Sequence, residues 1–186
     1  MEKERFSVEE KKEIVAYGIA RGKNIFIGLS VTLLLGLSLG IFYQSIEFLI
    51  VFCALRRYAG GYHADSIRRC YFISFLAVLF SLCCIKYVEC SLIFCFFLQT
   101  ICLLILLVVS PVETENRKLE DFERIKYKRK TRVNAIVLYI LNGVFYCIGN
   151  FNAVFPIVIA YFLATVLLIA GSIKNCCQSG QSFSVL

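Results

Sequence analysis

Six apolar runs divide the chain, at residues 25–43, 46–55, 71–85, 91–109, 133–149 and 153–173. A hydrocarbon core about 30 Å thick takes about 20 helical residues, with about 17 as the working minimum. By that measure the first, fourth, fifth and sixth runs span comfortably. The runs at 46–55 and 71–85 are short, which suits tilted, re-entrant or partly interfacial helices. The pattern predicts an all-α polytopic membrane protein with about six transmembrane or membrane-embedded helices, forming one domain over 1–186 without linker, low-complexity tract or repeat.

The polar segments carry patterns of their own. Ser7-Val-Glu-Glu10 has the form of a capping box, in which the Ser7 hydroxyl and the Glu10 carboxylate satisfy exposed backbone donors. A helix should therefore begin near Val8 and make the 1–24 segment an amphipathic lead into the first span. In PVETENRKLEDFERIKYKRKTR, residues 111–132, Leu119, Phe122 and Ile125 recur at threes beside a dense basic end. That spacing fits an amphipathic helix on the inner membrane surface.

Charge adds orientation. Lys and Arg gather at 3–23, at Arg56, Arg57, Arg68 and Arg69, and at 117–132. Basic residues near membrane ends stay cytoplasmic, so an even number of crossings must separate successive groups. The chain then folds as three hairpins turning near 44–47, near 86–89 and at GNFN, 149–152, with both termini cytoplasmic. Composition agrees: 59% of residues are hydrophobic, there are two prolines in 186 residues, and mean hydropathy is +0.76. This excludes an ordinary soluble domain. The net charge of +7 follows from the topology and points to anionic membrane lipids, not nucleic acid. The first apolar run starts only after two dozen charged and polar residues and has no small-residue cleavage site, so it reads as an uncleaved insertion signal.

Ten cysteines raise the question of disulfides or metal. Cys53, Cys83, Cys84, Cys90, Cys95, Cys102 and Cys147 lie in or beside apolar runs, where free cysteine behaves as a small hydrophobe. Cys176 and Cys177 follow the last span on the inferred reducing side. No histidine or further cysteine stands at ligand spacing from them, so no metal and no cofactor are expected.

The remaining cysteine sits in RRYAGGYHADSIRRC, residues 56–70, which also holds the only histidine. Cys70 follows Arg68 and Arg69, and cationic neighbours favour the thiolate that attacks a carbonyl. His63 is its natural base. Seven residues of straight helix would separate the two by about 10 Å of rise, whereas proton transfer needs contact at about 3 Å or one bridging water. Gly60-Gly61 frees the backbone just before His63, so a bend there could bring the imidazole to a helix starting near Asp65 or Ser66. Cys70 would then lie in that helix's first turns, where the dipole adds to thiolate stabilisation. Asp65 reads either as that cap or as an orienting carboxylate for His63.

These residues resemble accessory gene regulator B (AgrB), the membrane-embedded cysteine endopeptidase family of Gram-positive quorum sensing. The resemblance rests on Arg56-Arg57, on Gly61-Tyr62-His63-Ala64 and on a cysteine seven residues after the histidine. Length, the basic N-terminal helix, six apolar segments and the loop SPVETENRKL leading to KYKRKTR agree with it over nearly the whole chain. It implies an AgrD-type precursor peptide as partner, made of an amphipathic leader, a signal sequence and an acidic tail. Cys70 would cleave before the tail with His63 as base and acid, and a cysteine or serine of the peptide would close a thiolactone or lactone. Arg56 and Gly61 become positioning residues, and Lys126, Lys128, Arg129 and Lys130 become candidates for holding the acidic tail. A homodimer is left open. Ile67-Arg68-Arg69 departs from the aromatic or neutral residues common in relatives. The competing class is a peptide exporter or channel without proteolytic activity, although no nucleotide-binding motif is present and no charged residue stands well inside a span.

Overall fold

A computed structural model describes residues 8–60, 67–110 and 121–182, with side-chain surroundings given over 22–60, 68–110 and 125–176 apart from Asn24. The described chain is all helical: α1 (Val8–Ser38), α2 (Phe42–Ala59), α3 (Ile67–Tyr87), α4 (Leu92–Val109), α5 (Asp121–Ile148) and α6 (Phe151–Ser182). Arg68–Tyr87, Leu92–Val109, Ile125–Ile148 and Phe151–Cys176 are long and apolar enough to cross a membrane, and α1 contributes the shorter apolar stretch Ile25–Ser38. A protein with four such helices is a multi-pass membrane protein.

Two of the short connections between consecutive helices are made by the same backbone device. α1 stops because Gly40 takes a left-handed φ of 70°, its N–H bonding to Leu37 O at 3.1 Å while Ile41 N–H reaches Gly36 O at 2.9 Å. This is a Schellman closure, which favours glycine because a Cβ is strained at positive φ. Gly149 repeats it at φ 72°, with its N–H on Tyr146 O and Asn150 N–H on Phe145 O. The last turn therefore falls within the expected 149–152. The first comes at Leu39–Ile41, ahead of the expected 44–47, because glycine and not the end of the apolar run sets it. Between α3 and α4, Ser91 opens the new helix by accepting Phe94 N–H on its hydroxyl at 3.2 Å.

Helix lengths also differ from hydropathy. α3 extends past both ends of the 71–85 run and reaches spanning length. α1 is described from Val8 and runs without a break into the first apolar run. Ser7 itself lies outside the described residues, as do 111–120 of the basic loop. The basic end of that loop is the first part of α5, continuous with the fifth span.

α6 is the axis of the bundle: 72% of its span is buried within the protein, against 17% for α3 and for α5. It packs most heavily on α2, then on α4, with α3 and α5 also against it and α1 leaning on α2 and α3. Phe48, Val51, Leu55 and Ala59 put one face of α2 into this core, where they meet Val154, Val158, Tyr161 and Leu168 of α6.

In lipid, apolar side chains gain little by leaving hydrocarbon for one another, so close packing and interhelical hydrogen bonds must hold the helices together. Both are present. A Cβ on Gly36 would collide with the buried Ser45 side chain, so α1 and α2 approach as closely as glycine permits. Asn142 Nδ2 donates to Gln99 Oε1 at 2.8 Å between α5 and α4, and the Thr100 and Tyr139 hydroxyls lie 2.9 Å apart. Tyr161 on α6 donates to the Ala135 carbonyl of α5.

These contacts fix the ends of the bundle. Asn134 Nδ2 donates to Ala54 O at 3.3 Å, and Arg132 Nε to Leu107 O at 3.3 Å. The C-terminal ends of α2 and α4 therefore stand beside the start of α5. Arg56, Arg57 and the basic residues of 126–132 thus share one end of the bundle, opposite the α1–α2 and α5–α6 turns.

Candidate functional site at the basic end of the bundle

α2 ends where Gly60 adopts φ 74° and ψ −148°, a combination essentially confined to glycine. Its carbonyl accepts a hydrogen bond from Arg56 Nη1 at 3.3 Å, so the guanidinium four residues back closes the turn. α3 begins at Ile67, and Cys70 stands in its first turn, half-buried, as a free thiol. α2 therefore does not run unbroken into α3. Gly61, His63 and Asp65 lie outside the described residues, as does the cap expected at Asp65 or Ser66.

Burial pushes the Arg56 guanidinium below its ordinary value, and the charge of Cys70 works against that shift, which places the two groups within Coulombic range. Arginine stays protonated under any such perturbation. Arg56 is half-buried, whereas Arg68 and Arg69, beside the cysteine in sequence, are exposed.

Next to this turn the end of α2 and the start of α5 enclose a groove of about 600 Å³, lined by Tyr58, Ile125, Lys126, Arg129, Lys130, Val133 and Asn134. The Tyr58 ring is its centre. Lys130 Nζ lies 5.1 Å from the ring centroid, Arg57 Cζ 5.5 Å, and the Tyr127 ring 6.0 Å. Such cation–π contacts hold the charges over an aromatic face. Lys126, Arg129 and Lys130 thus share one groove, whereas Lys128 faces a neighbouring depression with Arg132 and Ile136.

Sequence reasoning passed over Tyr58 and Asn134. Asn134 reaches a carbonyl 80 residues away, and nothing local to either segment announces that pairing. Tyr58 carried a faint signal as an aromatic residue directly after two arginines. Among the described residues no group of three or more His, Cys, Asp or Glu side chains is placed to hold a metal ion.

The family model for accessory gene regulator B matches residues 1–172. The chain belongs to the accessory gene regulator B family. Two AgrB-like proteins of Clostridium perfringens are similar to it: one from strain SM101 is 24% identical over 172 residues, 87% of this chain and 78% of that protein. A second, from strain 13, is 26% identical over 155 residues, covering 77% of this chain and 71% of that protein. No solved structure matches. Membership of the AgrB family carries a role in agr quorum-sensing peptide processing, and the multi-pass helical bundle is consistent with an AgrB protein.

Proposed function

We propose that this AgrB-family chain is a membrane cysteine endopeptidase that removes the acidic C-terminal tail of an AgrD-type precursor and supports ring closure of the remaining peptide. The observation that carries the reading is the glycine break at the end of α2, where Arg56 clasps the Gly60 carbonyl and the free thiol of Cys70 stands at the start of the next helix. In this reading His63 takes the Cys70 proton and the sulfur attacks the carbonyl carbon before the tail. The C–N bond then breaks, His63 returns the proton to the departing amine, and a thioester to Cys70 remains.

A cysteine or serine of the same peptide next attacks the thioester. The new S–C or O–C bond replaces the bond to Cys70, giving a thiolactone or lactone and regenerating the enzyme. Acyl activation is carried from one bond to the next, so no nucleotide is consumed. Water competes at this step. Holding the peptide's own nucleophile close to the thioester, in a site partly shielded by lipid, favours closure over hydrolysis.

The basic end of the bundle lies at the cytoplasmic face, where Lys and Arg accumulate and anionic lipids attract them. Lys126, Arg129 and Lys130 hold the acidic tail, with Lys128 beside them. Coexpression with the precursor encoded beside this gene, followed by mass spectrometry of the peptide, tests the reading. Cys70→Ala and His63→Ala should each abolish tail release while the protein remains in the membrane, and Cys83→Ala or Cys102→Ala should change little. Full processing by either of the first two variants rules the mechanism out.

A further inference from the structure

We infer that the groove between α2 and α5 selects its ligand by an apolar side chain as well as by charge, with Tyr58 as the seat. The partner is an acidic peptide segment bearing an aliphatic or aromatic residue next to its carboxylates. This rests on the proposed processing of an acidic-tailed peptide and specifies what that tail must present.

A patch that read charge alone would need only cations on a solvated face. Here Lys126, Arg129 and Lys130 line the same groove as Tyr58, Ile125 and Val133, and its volume is within the range of small ligand sites. Ile125 and Val133 are 70% and 53% exposed, leaving apolar surface open beside the lysines. Tyr58 is held by Tyr127 from α5 and flanked by Arg57 and Lys130, so its ring is fixed before any ligand arrives. A pre-positioned aromatic gives contact area at little entropic cost.

The groove also has a fixed wall. Asn134, in the groove wall, is hydrogen-bonded to Ala54 of α2, so the α5 rim cannot slide relative to α2 without breaking that bond. An acidic peptide with an apolar residue between its carboxylates matches both halves of this lining, carboxylates on the α5 cations and the apolar side chain against Tyr58, Ile125 and Val133. An anionic lipid headgroup would satisfy the cations alone.

The test uses the full chain in phosphatidylcholine nanodiscs and two fluorescent synthetic peptides of equal charge, one repeating Glu-Glu-Leu and one repeating Glu-Glu-Ser. The leucine peptide should bind more tightly. Tyr58→Ala should weaken it about tenfold, Tyr58→Phe should not, and the serine peptide should be indifferent to both changes. Lys130→Gln should weaken both peptides. If Tyr58→Ala does not fold, Ile125→Asn at an exposed position should show the same selective loss. Equal affinity for the two peptides, or equal sensitivity of both to Tyr58→Ala and Ile125→Asn, would overturn the inference. Loss of peptide binding when phosphatidylglycerol is added would also overturn it, by making lipid the occupant. Cys70→Ala should bind the leucine peptide as wild type does, so a failure of the Cys70 chemistry and a failure of the groove are told apart.

Discussion

Arg56 Nη1 lies 3.3 Å from the carbonyl oxygen of Gly60, so the guanidinium closes the turn that ends α2 while standing within Coulombic range of Cys70. One side chain thereby couples backbone geometry to the charge around the sulfur. Arg56→Gln removes the charge and weakens the clasp, and should slow tail release by about 10- to 100-fold, the scale on which a positioned charge acts in a site partly shielded from water. Arg56→Lys keeps the charge without the planar fork and should recover only part of the rate. Initial rates of peptide release in membrane vesicles decide it, and equal rates for wild type and Arg56→Gln would remove Arg56 from the mechanism.

The turn itself makes a second prediction. Gly60 holds φ 74° and ψ −148°, where a Cβ costs about 1–3 kcal/mol. In Gly60→Ala the chain relieves that strain by moving off this geometry, which displaces the segment that carries His63. Processing should fall well below the level that stability loss alone explains. Gly143→Ala is the control, since Gly143 lies inside α5 with open space where its Cβ would stand, and it should stabilise the helix by up to about 1 kcal/mol with processing intact. Parallel thermal unfolding in detergent and peptide mass analysis separate the two outcomes.

Much of this arrangement is visible in the chain before any folding. The apolar runs give the helices, the arginines mark one end, and Gly149 in GNFN marks a turn. What hydropathy could not place is the turn at Gly40: Phe42 and Tyr43 continue the apolar run, although Gly40 gives the helix its stop. Adjacency in sequence points to Arg68 and Arg69 beside Cys70, whereas the clasp of Arg56 on the Gly60 carbonyl is a contact that only the fold shows. The α2–α5 groove was half legible, since its lysines stand out by charge. Its aromatic seat and the Asn134 tie exist only across the fold.

The α1–α2 hairpin depends on absence of a side chain. A Cβ at position 36 would meet both the Cβ and the Oγ of Ser45, which is fully buried. Gly36→Ala should therefore part the two helices and lower the melting temperature in detergent, even though alanine is the better helix former. Ser45→Gly in the same chain removes the obstructing atoms and should restore part of the loss. Additive effects of the two substitutions would show that this close approach is not what holds the hairpin.

The last prediction concerns Gln99 and Asn142, both fully buried between α4 and α5 and joined at 2.8 Å. Each keeps one further amide atom without a partner, Gln99 Nε2 and Asn142 Oδ1. Asn142→Leu strands the Gln99 amide in an apolar interface and should destabilise the bundle by about 1–3 kcal/mol, the cost of a buried polar group left unpaired. Gln99→Leu should do the same from the other side. The double variant leaves neither amide and should lie closer to wild type than the sum of the singles, because replacing both partners of a buried hydrogen bond is far less costly than removing one. Unfolding in a denaturing detergent titration gives the three values. If the double variant is as unstable as the two losses added, the pair holds α4 and α5 together by something other than their mutual hydrogen bond.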